Sequence, residues 1–255
     1  IRDKYAAEGL GSVSIICTDK TGTITYGNMT VTHFWGFGID EQKVDRMDWS
    51  SPAPDTERML QIIKFANNLR DSTDDALGRL LRNAGDPITP ELREYRRGEI
   101  PFNSKRKRMS TLDEMATGQL HLHVKGAPGL LLERCTHYLS NAAIHPLENG
   151  DLSKIRAQLL RFEREGYRVL ALAYRPWTEH RTELQDDDEA NLIFAGLVAI
   201  SDPARPEVKV TIEQLRHAGV SVKMITGDSA ETALSIARDV GLVPPGTGVE
   251  VVIDG

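Results

Sequence analysis

Two strand-length apolar runs in this chain each stop in a loop of threonine, glycine and aspartate, and this pattern constrains the fold more than any other feature. Val13, Ile15 and Cys17 alternate as strand residues do, and Asp19-Lys20-Thr21-Gly22-Thr23 follows at once. Val220 to Ile225 is the second run, closed by Thr226-Gly227-Asp228. In open α/β sheets ligands bind outside the carboxyl ends of strands, so the two strands are expected to lie parallel with both loops at that rim. Asp19 is then aimed at a ligand, and Thr21, Gly22 and Thr23 let N–H and hydroxyl groups approach an anion. A carboxylate so placed can accept a phosphoryl group as a nucleophile. Thr226 and Gly227, opening a helix whose N-terminus attracts anions, are assigned to the oxygens of that phosphate. Thr21 stands where a phosphatase of this build wants a second acid to protonate the leaving group, which favours an acyl phosphate that persists. The plainer alternatives are an ordinary strand-end Asp and a routine strand–helix turn with Asp228 as N-cap.

Two stretches read as pieces of one α/β domain: residues 1–34, and an incomplete second part at 191–255. Leu192 to Ile200 is a continuous apolar run, as in a strand buried on both faces. Pro206 starts a helix carrying Val208, Ile212 and Leu215 on one face, stopped by Gly219. A second helix is expected from Asp228, with Glu231 completing a capping box, and Val249 to Ile253 as a last strand. Such strand–helix alternation implies parallel pairing.

The insertion, 35–190, has another texture. Helices are expected at Glu57–Leu69 and Asp75–Asn83, about Pro128–Arg134 and Leu152–Glu165. Strands are expected at Arg108–Leu112, Gln119–Lys125 and Arg168–Tyr174. This is α+β, helices on a mainly antiparallel sheet. Asp186-Asp187-Asp188-Glu189 reads as a solvated connector, and Lys105-Arg106-Lys107-Arg108 as a solvated strand edge.

At 255 residues with a formal charge of −6, nucleic acid is a poor partner, and no internal repeat is visible. Cys17 and Cys135 are far apart without metal spacing, which fits a reducing compartment, and Cys17 is expected in a core. No apolar run approaches the ~18 residues of a membrane span. The chain begins at Ile1 and shows no signal peptide.

Residues 15–31 resemble the phosphorylation motif of P-type cation-transporting ATPases, and Leu10-Gly11-Ser12-Val13 resembles the segment before it. The likeness recurs along nearly the whole chain, most closely to the calcium-pump branch. It implies a truncated, discontinuous Rossmann-like domain of haloacid dehalogenase type carrying an inserted nucleotide-binding domain, with Asp19 phosphorylated by ATP. Thr226-Gly227-Asp228 matches a motif that contacts the phosphate region, and Asp202 and Arg205 match an Asp-Pro-x-Arg motif near the hinge and the nucleotide. Read alone, those two are a turn with an ion pair.

The same resemblance places the ATP pocket in the insertion. Phe102 would stack on adenine, with Lys107 beside it, although pattern alone reads Phe102 as a core residue. Lys125 and Gly126 match the family's Lys-Gly-Ala motif, where glycine allows close approach to the base. Arg168 matches an arginine that reaches the nucleotide phosphates, a role suited to its planar fork. Asp74 replaces a glutamate that approaches the adenine amino group and is one methylene shorter, so a weaker or water-mediated contact is expected.

Mg²⁺ would meet Asp19 and the Thr21 carbonyl, and two protein ligands leave it mostly hydrated. A further Asp-containing metal motif of the family lies beyond Gly255, so nucleotide binding with little turnover is expected of this chain alone. The expected whole is a pump at the cytoplasmic face of a membrane, whose transmembrane and actuator domains are the partners of this soluble portion. Competing readings are a soluble phosphatase of haloacid dehalogenase type and an ATP-binding module that has lost catalysis.

Overall fold

Leu192–Ile200 is apolar along its whole length because helices cover both faces of the sheet it belongs to. The computed structural model describes residues 12–252, in two units: one of residues 12–28, 164–166 and 202–252, the other of residues 29–163 and 167–201. Leu10, Gly11 and Ile253 lie outside the described residues.

In the larger unit the strands are β2 (Thr30–Gly36), β3 (Ile39–Lys43), β4 (Arg96–Asn103), β5 (Arg108–Glu114), β6 (Leu120–Gly126), β7 (Cys135–Ser140), β8 (Ala143–Pro146), β9 (Arg168–Trp177) and β10 (Leu192–Ser201). They form one sheet in the order β3-β2-β10-β9-β6-β5-β4, with β7 bridging β10 and β8. Every pairing is antiparallel except β7 with β10. The reading of Leu192–Ile200 as a strand of the parallel domain is therefore corrected. A strand sandwiched between helices reads as continuously apolar whichever way its neighbours run.

One face packs against α1 (Pro54–Phe65) and α2 (Ser72–Asn83), through Met59, Ile62, Ile63, Leu77 and Leu81. The other packs against α4 (Pro128–Leu132) and α5 (Asn149–Arg164), through Leu131, Ile155 and Phe162. A short α3 (Leu92–Tyr95) precedes β4. Along β10, Ile193 and Ala195 face the first core, yet beyond Gly196 it is Val198 and Ile200 that do. The register shift between Phe194 and Gly196 causes that change of parity, since one extra residue turns every later side chain over. A Cβ on Gly196 would sit 2.6 Å from the Trp35 carbonyl oxygen and 2.7 Å from the Met59 sulfur, so only glycine fits the bulge.

The helix expected at Glu57–Leu69 runs Pro54–Phe65 instead, with Pro54 in its first turn, where no N–H is missed. The helix expected at Asp75 begins at Ser72, because the Asp71 carboxylate accepts hydrogen bonds from the Thr73 and Asp74 amides, both at 2.8 Å.

In the smaller unit β1 (Ile15–Asp19) pairs parallel with β11 (Ser221–Ile225), as expected, with Asp19 opposite Ile225. α6 (Pro206–His217) and α7 (Ala230–Asp239) pack Ile212, Ile236 and Val240 around Ile24. Three expectations are corrected. Ser229, not Asp228, caps α7, accepting the Thr232 amide. Val249–Val251 is a short 3₁₀ turn rather than a strand, and no neighbouring strand among the described residues offers it a ladder. Cys17 is exposed rather than in a core, because among the described residues this sheet has two strands and its Ile15–Cys17–Asp19 face is open.

Candidate functional site

Asp19 is the last residue of β1, exposed, and across the parallel ladder from Ile225, so Thr226 begins the adjacent loop at the same rim. Residues Lys20–Ile24 then make a wide turn closed by the Thr25 amide on the Lys20 carbonyl at 3.0 Å. Gly22 takes left-handed backbone there (φ +76°).

The side chain that follows Asp19 points the other way. Lys20 is buried, and its Nζ lies 2.9 Å from an Asp228 carboxylate oxygen and 4.0 Å from Asp202. That ion pair ties the two rim loops together and leaves the Asp19 carboxylate outward. The Asp228 amide also donates to Thr226 Oγ1 at 3.1 Å, which shapes the second loop.

Asp202 and Arg205 belong to this loop system. The Asp202 carboxylate accepts hydrogen bonds from Thr25 Oγ1 at 2.6 Å, the Gly27 amide at 2.9 Å and the Asn28 amide at 3.1 Å. Arg205 donates to the Thr25 carbonyl at 3.1 Å and the Gly22 carbonyl at 3.2 Å, and its guanidinium stacks 4.9 Å from the Tyr26 ring centroid. The turn-with-ion-pair expectation gives way to a scaffold: these residues hold the backbone that carries Asp19 through Thr25.

A second constellation sits at the β4–β5 hairpin and the end of β6. The register shifts between Ile100 and Asn103, so Pro101, which has no N–H to give the ladder, and Phe102 fall in the irregular stretch. Phe102 is 61% exposed, so the core-residue alternative is corrected. Lys107 is exposed in the turn with a left-handed backbone (φ +50°). Arg168 is exposed at the start of β9.

Lys125 is buried and paired with Asp74. Burial holds its ammonium below the ordinary lysine range, against the opposing pull of Asp74. Asp74 also accepts the Asn68 amide at 3.1 Å, so its carboxylate is already engaged by protein donors, a different setting from a free contact with a base. Gly126 is close-packed, but against β5: a Cβ there would collide with Arg108 and lie 2.7 Å from the Lys107 carbonyl. Its smallness lets β6 approach the hairpin, a reason for glycine here that is independent of any base.

The charged blocks 105–108 and 186–189 are only partly solvated: Lys105, Lys107, Asp186 and Asp187 are exposed, whereas Arg108, Asp188 and Glu189 are buried. Glu189 is fully buried and accepts hydrogen bonds from Arg106, Arg108 and Ser110, while Asp188 pairs with Arg181. Reading each block by itself missed this; their opposite charge was the available signal.

Among the described residues no group of three or more His, Cys, Asp or Glu is placed to hold a metal. A Mg²⁺ ion needs less, since it is commonly held by one or two carboxylates with water and substrate phosphates completing its shell, and exposed Asp19 fits that demand. No helix among the described residues is long and apolar enough to cross a membrane.

Residues 63–207 match the family described as P-type ATPase, cytoplasmic domain N. The chain is 37% identical over 253 residues to calcium-transporting ATPase 1 of Bacillus cereus, covering 95% of this chain and 28% of that protein. It is 33% identical to calcium-transporting ATPase 1 of Saccharomyces cerevisiae, covering 95% and 28%. It is also 33% identical to the sodium/potassium exporting P-type ATPase cta3 of Schizosaccharomyces pombe, covering 96% and 28%. The chain thus spans little more than a quarter of the length of these relatives.

Proposed function

This chain belongs to the P-type ATPase family, and from that premise we propose that it is the ATP-binding and aspartyl-phosphate-forming portion of a membrane pump that transports a cation, calcium by the names of its relatives. The smaller unit is read as part of a discontinuous phosphorylation domain of haloacid dehalogenase type, and the larger as its inserted nucleotide-binding domain. The proposed division at residues 34 and 190 moves to 28 and 201, to follow the two units.

The observation that carries this reading is the outward carboxylate of Asp19 at a parallel-strand rim, beside a loop fastened by the Lys20–Asp228 pair at 2.9 Å. In the proposed reaction an Asp19 oxygen attacks the γ-phosphorus of ATP, the bond to the β,γ-bridging oxygen breaks, and ADP leaves with that oxygen. The amides and hydroxyls of Thr21, Gly22 and Thr23, with Thr226 and Gly227, hold the phosphoryl oxygens, the positioning and charge stabilisation on which such transfers depend. Lys20 and Asp228, expected among the catalytic residues, keep the two loops in register through their ion pair. Mg²⁺, held by Asp19 and the Thr21 carbonyl with water, would supply charge neutralisation on the phosphates.

Phe102, Lys107 and Arg168 offer an exposed ring and two exposed cations for a nucleotide. Base–aromatic stacking is worth ~1–3 kcal/mol per base in nucleic-acid systems. Lys125 and Asp74 form a buried pair in the same unit. The absence of an acid at Thr21 supports an acyl phosphate that outlives its formation and drives conformational change in the remainder of the pump, its membrane and actuator domains. The test is incorporation of label from γ-labelled ATP into the intact protein. Acid-stable, hydroxylamine-labile label that Asp19→Asn abolishes supports the proposal; turnover of small phosphate esters without such label refutes it.

A further inference from the structure

Glu189 is wholly buried, yet it lies in an acidic run and contacts none of the residues assigned to ATP or to the phosphoryl group. Its carboxylate gathers three donor groups: Arg106 Nη1 at 2.8 Å from each oxygen, Ser110 Oγ at 2.7 Å, and Arg108 Nε. Arg106 in turn reaches back over the hairpin, donating to the Pro101 carbonyl at 2.9 Å and the Arg108 carbonyl at 3.3 Å. The turn between is closed by the Lys107 amide on the Asn103 carbonyl at 2.6 Å and by the Lys105 amide on Asn103 Oδ1 at 2.8 Å.

Pro101 immediately precedes Phe102, in the stretch where the β4–β5 ladder loses its regular register. The regular ladder skips Pro101 and Phe102, and the guanidinium of Arg106 holds that backbone at the Pro101 carbonyl. A lone arginine side chain would sample many rotamers, and the two oxygens of Glu189 select one through a charge-assisted geometry. We propose that Glu189 is a positioning residue for nucleotide binding: acting through Arg106, it holds the Pro101–Lys107 turn in the form that presents Phe102 to the base. This rests on the reading of Phe102 as the base-stacking ring. Asp186, which pairs with Arg106 at 3.1 Å from an exposed position, is a minor support.

The experiment is calorimetric titration of the 255-residue chain with ATP and, separately, with inorganic tripolyphosphate. Glu189→Gln keeps the shape of the side chain and removes its charge. Arg106→Gln breaks the same clamp from its more accessible end, and carries the test should the first variant not fold. Each is expected to weaken ATP binding roughly tenfold, within the range a lost stacking contact spans, and to leave tripolyphosphate binding unchanged. In a Phe102→Ala background, adding Glu189→Gln should cause no further loss, because its effect passes through the ring. A general structural role would instead lower both affinities, or add to Phe102→Ala, and either result overturns the proposal. ATP affinity that falls in Phe102→Ala but not in Glu189→Gln or Arg106→Gln overturns it while sparing the nucleotide-site reading. Unchanged affinity in Phe102→Ala overturns both.

Discussion

Replacing Asp202 by alanine should loosen the loop that follows Asp19, and the contacts of its carboxylate set the size of the effect. Three donors converge on this side chain, which is 9% exposed: Thr25 Oγ1, the Gly27 amide and the Asn28 amide. Hydrogen bonds to a charged group contribute roughly 1.5–3 kcal/mol each, a ceiling of about 4.5–9 kcal/mol. Much of that is recovered in the variant. Gly27 and Asn28 are exposed, so their amides turn to water, and Thr25 Oγ1 keeps the Lys20 carbonyl at 3.1 Å. About 2–3 kcal/mol of local stability remains to be lost. Asparagine should lose only about 1 kcal/mol, because its carbonyl still accepts both amides and its NH₂ can donate to Thr25 Oγ1. Amide hydrogen exchange reads this loop directly. Gly27 and Asn28 should exchange roughly 30- to 140-fold faster in Asp202→Ala than in the parent chain, at a factor of ten per 1.4 kcal/mol. Unchanged exchange in the alanine variant, or an asparagine variant as damaged as alanine, would refute the scaffold role.

Gly196→Ala forces a methyl against the Trp35 carbonyl and the Met59 sulfur, and should destabilise the larger unit by about 1–3 kcal/mol in urea unfolding. Lys125→Met leaves the buried Asp74 carboxylate without its cation and should cost about 3–5 kcal/mol by the same assay, much of it restored by adding Asp74→Asn. His121 is held down to about 4 by burial, by neighbouring His123 and by the Arg58 guanidinium. The unfolded chain therefore takes up this proton first as pH falls below about 6.5, and stability should drop between pH 6.5 and about 4 and be fully present above 6.5. His121→Gln should flatten part of that slope; an unchanged slope contradicts the assignment.

Local patterns in the chain carried much of this structure. Alternation at Ile15–Cys17 and the apolar run before Thr226 located two strands whose parallel pairing the structure bears out. The α+β texture of the insertion, with its mainly antiparallel sheet, was equally legible. What escaped was decided by tertiary contact. Leu192–Ile200 reads as apolar because two helical layers cover it, and burial on both faces says nothing of strand direction. Asp228 has the composition of an N-cap, but the buried Lys20 ammonium claims it and Ser229 caps the helix. At the candidate site the rim position of Asp19 followed from the strand–loop pattern. Phe102 was ambiguous by pattern, since an aromatic beside a strand looks the same whether its ring turns in or out. Glu189 looked solvated until Arg106 and Arg108, distant in sequence, were brought onto it.

The most direct test of the whole account asks which atom carries the phosphate. The intact protein would be incubated with ATP, quenched in acid and reduced with borohydride, which converts an aspartyl phosphate to homoserine, and its peptides then read by mass spectrometry. Homoserine at position 19, and its loss when ATP is omitted, is the expected result. An unaltered Asp19, with stable phosphate on a serine or threonine instead, would contradict the account.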